Sequence, residues 1–140
     1  GAEDLAPERI QSLRLQAGKL MGLGDVTGSA VPKITFVSAP RAGGAIRTRT
    51  FNAFDPVRAH PSIGVFGAIS VVTAVLLDGA VGHDLLVRPV DGRPFDVEHP
   101  SGTLQVDVAV DQNGGTPRAL RSAVIRTARP LFDGTTFPRP

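Results

Sequence analysis

The sequence predicts an α+β domain. A strongly curved, mainly antiparallel sheet, a half-barrel, wraps around one central buried helix, and an amphipathic helix precedes it. Three observations lead there. Residues 61–77 carry no charge and present apolar or small side chains in every direction, so a helix there must be covered all round. Much of the remaining chain consists of short stretches of period-two alternation punctuated by Gly and Pro. A flat sheet covers only one side of a helix, whereas a curled one covers nearly all of it. At 140 residues the chain is long enough for one domain with a real core.

Taken in order, residues 7–21 set Ile10, Leu13, Ala17, Leu20 and Met21 on one face at helical spacing, and Gly22 supplies a stop. Residues 22–30 (GLGDVTGSA) are a loop. Its glycines do not make a phosphate-binding loop, because no Gly-Lys-Ser/Thr follows and no strand precedes it. Residues 31–38 alternate Ile34 and Phe36 against Thr35 and Val37, as a strand does. After the turn APRAGGA, residues 46–51 form a second strand, with Arg47 and Arg49 to one side and Thr48 and Thr50 to the other. Two arginines on one strand face suit a carboxylate clamp, while an isolated pair of this kind reads first as solvated surface charge. The segment NAFDPVRA leads into the apolar run, where Pro61 fits the first helical position. His60 is then the N-cap, beside unpaired N–H groups and the positive end of the helix dipole, a place that favours an anion. The run sits at the short limit for crossing a bilayer and lacks flanking Lys or Arg clusters, so a core helix is expected and no membrane partner.

Beyond it, residues 85–89 read as a short strand. Residues 94–98 and 103–110 bracket His99-Pro100-Ser101-Gly102, which suits a type I hairpin turn. Leu104, Val106, Val108 and Val110 alternate inward against Gln105, Asp107 and Ala109. Asn113-Gly114 marks the next hairpin, residues 119–128 the last strand, and prolines end regular structure after it. His99 and Ser101 fit a functional reading and a simple tight turn equally well. His83, in a glycine-flanked loop, is given no role.

Composition removes several chemistries. There is no Cys, which excludes disulfides, thiolate metal sites and a cysteine nucleophile. The three His have no ligand spacing, so no metal is expected. The net charge is +2, and the arginines are scattered without interleaved aromatics, so nucleic acid is not an expected partner. With no signal-peptide pattern in view, a cytoplasmic setting is expected.

Six segments in order then carry a resemblance: MGLGDV, VPK, RTRTF, HPSIGVFGAISVVTA, VEHPSG and RTARPLFDG. Together they resemble the C-terminal half of the 4-oxalomesaconate tautomerase and 2-methylaconitate isomerase (PrpF-like) family, whose fold is that of diaminopimelate epimerase. The resemblance implies two facing domains, each a curled sheet around a helix, with the site between the helix N-termini. It implies cofactor-independent isomerisation of a small unsaturated di- or tricarboxylic acid by a proton shift. It divides the chain into residues 1–24, a linker and amphipathic helix from a missing N-terminal half, and residues 25–140, the C-terminal domain. Substrate-binding positions carried over are Arg47, Thr48, His60 and Ser62. Strand alternation lets only one of Arg47 and Thr48 face the substrate, and His60 is equally readable as a structural cap.

In the family the proton-moving Lys and Cys belong to the first domain. This chain has only Lys19 and Lys33, no Cys, and Arg58-Ala59 where some relatives carry a Cys before the His. The catalytic residues are therefore unassigned. The partner expected besides substrate is a complementary N-terminal domain or a second copy, and the chain reads as a fragment, a separate subunit or half of a homodimer. A domain parted from its other half is expected to expose an apolar face. The alternative reading is a non-catalytic binding or assembly module that keeps the fold. Diaminopimelate epimerase and proline racemase activities use a Cys from each domain, and none is present.

Overall fold

Five strands stand side by side in chain order: β1 (Ile34–Ser38), β2 (Ile46–Phe51), β3 (Phe95–His99), β4 (Gly102–Asp111) and β5 (Arg118–Ile125). The computed structural model describes residues 6–52 and 58–139. The expected N-terminal linker and the NAFDPVRA connection fall largely on the other positions, outside the described residues. Two helices complete the fold, α1 (Pro7–Leu20) before the sheet and α2 (Val65–Leu76) between β2 and β3. Neighbours β1–β2, β3–β4 and β4–β5 are antiparallel, while β2 and β3 run parallel, with Ile46 opposite Val97 and Arg47 opposite Glu98. The sheet is therefore mixed and mainly antiparallel. Parallel neighbours need a long crossover, and here that crossover holds α2.

Period-two alternation sorts the side chains onto two faces. On one, Val37, Ile46, Val97, Val106 and Val108 join Phe95 and the α2 residues Ala68, Val72 and Leu76 in the main core. On the other, Ile34, Phe36 and Phe51 meet Ile10 of α1. The Phe36 and Phe51 rings stand edge to face there, 5.7 Å apart. The two helices thus cover opposite faces of the sheet. The outer margins are β1 and β5, and nearly all of β5 is exposed.

Helix α1 departs from its expected stripe. Leu13, Leu20 and Met21 are exposed, and the buried line is Ile10, Arg14 and Gly18. Arg14 is only 1% exposed. Its Nη2 donates to the carbonyls of Val26 (2.9 Å) and Thr27, its Nη1 to those of Ser29 and Val31, and its Nε to Gln11 Oε1. The guanidinium thus closes the 26–31 loop against the helix. Gly18 lets Val26 sit close: a Cβ there would lie 2.5 Å from Val26 Cγ2. Counting apolar residues places an arginine outward, which is why the stripe was expected one position away.

Helix α2 also needs correction. It begins at Val65 with Gly64 as N-cap, four residues later than expected, because residues 61–62 bend instead of coiling. It is buried on one side only, through Ala68, Val72, Val75 and Leu76; Phe66 is 85% exposed, and Ser70 and Ala74 lie outward too. The described strands lie against one side of the helix, so nothing among the described residues covers the other. Residues 85–89 are not a strand. A 3-10 turn, His83–Leu85, is followed by extended chain tied by the Val87 N–H to the Ala45 carbonyl. The last strand stops at Ile125, short of residue 128. Among the described residues no helix is long and apolar enough to cross a membrane.

Arg14→Ala should leave several buried carbonyls without a donor and lower stability by roughly 3 kcal/mol. Arg14→Lys should recover less than half of that, because an ammonium lacks the planar fork. Urea unfolding followed by circular dichroism reads both.

Candidate functional site

Strands β2 and β3 end at the same side of the sheet, and both chain segments that leave there fold back onto it. After β2, Ala59 bridges Phe51, and the His60 N–H donates to the Thr50 carbonyl at 2.8 Å. His60 therefore lies along the end of the strand and does not cap α2. Its Nδ1 is 3.0 Å from both the N–H and the carbonyl of Ser62, so this nitrogen is committed to its own turn. After β3, the turn from His99 to Gly102 pairs those two residues, with Gly102 at φ 141°. The Ser101 hydroxyl donates to the Pro61 carbonyl at 2.8 Å and lies 3.2 Å from His99 Nδ1. This latch holds the β3–β4 turn against the segment leading into α2. His60, Ser62, His99 and Ser101 consequently form one polar group, next to the first turn of a helix that has no side-chain cap.

Thr48 and Arg47 separate as alternation requires. Thr48 is buried on the face of the main core, and its hydroxyl donates to the Glu98 carbonyl at 2.8 Å, stitching β2 to β3. Arg47 projects to the opposite face, near the Glu98 carboxylate. The structure thus brings His60 and Ser62 together, leaves Thr48 on the main-core face with its hydroxyl already used, and puts Arg47 on the opposite face of the sheet.

Glu98 was not foreseen. It is 5% exposed, and its carboxylate accepts three backbone N–H bonds: Arg41 at 2.8 Å on Oε2, and Ala42 at 2.7 Å and Gly44 at 2.9 Å on Oε1. Gly44 must be glycine, since a Cβ would stand 2.7 Å from Glu98 Cγ and 2.8 Å from the Asp96 carbonyl. Burial pushes the Glu98 carboxyl up, but the N–H groups of Arg41, Gly44 and Ala42, helped by the Arg47 charge, outweigh it and hold the group below its ordinary value. No spacing rule joins a strand glutamate to a glycine turn more than fifty residues earlier, and alternation puts Glu98 on the polar side of its strand with Asp96, opposite Phe95 and Val97, so the sequence carried no signal for its burial.

His99 is lowered as well, by burial first and by the nearby His60 charge, against a backbone hydrogen bond with Thr103 that favours the protonated ring. The balance favours the neutral ring. Among the described residues no three His, Asp or Glu side chains are grouped to hold a metal ion. Two imidazoles, two hydroxyls and an uncapped helix start suit the binding of a carboxylate and the movement of a proton.

The chain is similar to several known proteins. A family model described as PrpF protein matches residues 2–138. The chain is 44% identical over 130 residues to a (4E)-oxalomesaconate Delta-isomerase of Novosphingobium sp. (strain KA1), covering 92% of this chain and 35% of that protein. It is 43% identical over 134 residues to the 4-oxalomesaconate tautomerase of Pseudomonas putida, covering 95% of this chain and 35% of that one. The crystal structure of a methylitaconate-delta-isomerase superposes with a TM-score of 0.61 at 17% identity, over 83% of this chain and 36% of that one, and shows a shared fold. The chain thus spans about a third of the length of the curated relatives it matches.

A carboxyl held low by the fold contributes stability above its ordinary pKa that is lost as pH falls through its folded value. Glu98→Gln should cost about 2 kcal/mol at pH 7. Between pH 7 and pH 3 the wild-type chain should lose stability and the variant less, so the gap between them narrows on acidification. Urea titrations across that range measure it.

Proposed function

The chain belongs to the PrpF family, and from that premise we propose that it is one part of a cofactor-independent isomerase or tautomerase. Its substrate is a small unsaturated di- or tricarboxylic acid of the oxalomesaconate or methylaconitate type, and its reaction a proton shift along a conjugated carboxylate. The observation that carries this reading is the polar group at the shared ends of β2 and β3, set at the uncapped start of α2. A helix start favours a carboxylate and the enolate-like charge that develops when a neighbouring C–H proton leaves. His60 and Ser62 take the contact with one carboxylate. Thr48 supports them through its bond to β3, and Arg47, on the other face, acts through its charge.

Residues 25–140 form the domain that bears this site, and residues 1–24 connect it to the rest of the enzyme. The open side of α2, with Phe66 at its first turn, is the surface over which further polypeptide completes a half-barrel. Either a preceding domain or a second copy supplies the opposing wall of the site. The scarcity of lysine and the lack of cysteine also favour a second reading, a non-catalytic module that binds the acid without turning it over.

A chimera tests this: the 4-oxalomesaconate tautomerase of Pseudomonas putida with its matching third replaced by this chain. It should isomerise oxalomesaconate, while the 140-residue chain alone should show little or no turnover. His60→Ala in the chimera should raise KM about tenfold or more, the loss of one charge-assisted contact, and Arg47→Ala should act more weakly. Tight binding of the acid by a folded chimera without turnover would favour the non-catalytic module, and full activity from the monomeric chain alone would overturn the split site.

A further inference from the structure

The chain has two asparagines, Asn52 and Asn113, and the fold treats them differently. Asn52 is half-buried just after β2, its N–H donates to the Arg58 carbonyl at 2.9 Å, and Ala53 follows it in the chain. Asn113 is exposed in the β4–β5 turn and is followed by Gly114 and Gly115. Its own N–H donates to Asp111 Oδ1 at 2.9 Å, which holds the main chain of the turn. Among the described residues no hydrogen bond ties the Asn113 side-chain amide or the Gly114 N–H. Gly114 carries no Cβ to shield its nitrogen from the amide carbon one residue before it.

The residue on the other side, Gln112, closes the end of α2. Its Nε2 donates to the Leu76 carbonyl at 3.1 Å, and its Oε1 accepts the Asp78 N–H at 3.1 Å. The helix stops at Leu76 with Leu77 extended, so no left-handed glycine caps it, and Gln112 satisfies the final carbonyl instead.

We propose that Asn113 is a modification site: in the folded chain it converts spontaneously to isoaspartate, and the conversion frees the end of α2 by displacing Gln112. The Gly114 main-chain nitrogen attacks Asn113 Cγ and a new C–N bond forms. The bond from Cγ to the amide nitrogen breaks, and ammonia leaves with the proton that Gly114 gave up. Water then opens the cyclic imide, its proton going to the released nitrogen. Opening at Cγ gives aspartate. Opening at the main-chain carbonyl gives isoaspartate, whose chain runs on through Cβ and Cγ and whose carboxylate stands where the main-chain carbonyl was. Nothing is oxidised or reduced, and water is the only co-reactant. The inserted carbon lengthens the turn next to Gln112. The new negative charge arises beside Asp111 and one residue from the contact that closes the negative end of α2. Both changes oppose the two Gln112 bonds. None of this depends on the isomerase reading.

The test ages the intact chain in mildly alkaline buffer and follows each asparagine by peptide mapping with electron-transfer fragmentation, which separates isoaspartate from aspartate. Asn113 should convert at least tenfold faster than Asn52, with isoaspartate the larger product. Gly114→Ala is open sterically, since a Cβ there meets nothing within 4 Å, and should slow the conversion at least fivefold. Hydrogen exchange then compares aged with fresh chain. The Asp78 amide should exchange at least threefold faster after ageing, Gln112→Ala should reproduce that rise in fresh chain, and aged Asn113→Gln should not show it. Equal rates at the two asparagines, or a rate indifferent to Gly114→Ala, overturn the modification site. An Asp78 amide that stays protected in the isoaspartate chain, or in Gln112→Ala, overturns the link to α2.

Discussion

The parallel pairing of β2 with β3 is the constraint from which the rest follows. Antiparallel neighbours need only a turn; parallel ones oblige the chain to leave one end of the sheet and return to the other. That return is made through α2, which places the helix over the core face and its start beside the ends of both strands. Thr48, in the middle of β2, donates to the Glu98 carbonyl and fastens the pair near the end of β3. The Ser101 latch on Pro61 then joins the two segments that emerge there. Without the parallel register, His60 and His99 would belong to unrelated parts of the surface.

Two buried charges do for the loops what apolar packing does for the strands. Arg14 gathers the carbonyls of the 26–31 loop, and Glu98 gathers the N–H groups of residues 41–44. The arrangement is complementary. A cation with five N–H donors suits a segment turning its carbonyls inward, and an anion with only acceptors suits one turning its N–H groups inward. The 41–44 segment (RAGG) has almost no hydrophobic area to fix it, and the 26–31 loop has chiefly Val26, which packs against Gly18 of α1. The second of these anchors is next to His99 in the chain, so the turn at 41–44 and the candidate site share one strand end.

Much of this was legible beforehand. Strand β2 falls on residues 46–51 as its alternation implied, the inward row Leu104, Val106, Val108 and Val110 is partly or fully buried, and the turn at His99–Gly102 is a hairpin. What resisted reading was set by partners distant in the chain. Arg14 looks like a solvent residue until four carbonyls from another segment surround it, and Glu98 until a turn more than fifty residues earlier does so. Apolarity all round the 61–77 run was a sound sign of a helix but a poor guide to its first residue: His60 and Ser62 form a local turn that stops the coil from starting at Pro61. Of the candidate residues, alternation correctly separated Arg47 from Thr48, but it was silent on which of them shares a side with His60.

Strand β5 leaves a sheet margin whose outer backbone groups are open to another chain. Its sequence answers that exposure. Leu120 and Ile125 lie among Arg118 and Arg121, and Arg121 is held by Asp107 at 2.7 Å, so a cation is fixed on the rim. Charged side chains on an edge strand make it a poor template for the stacking of identical copies.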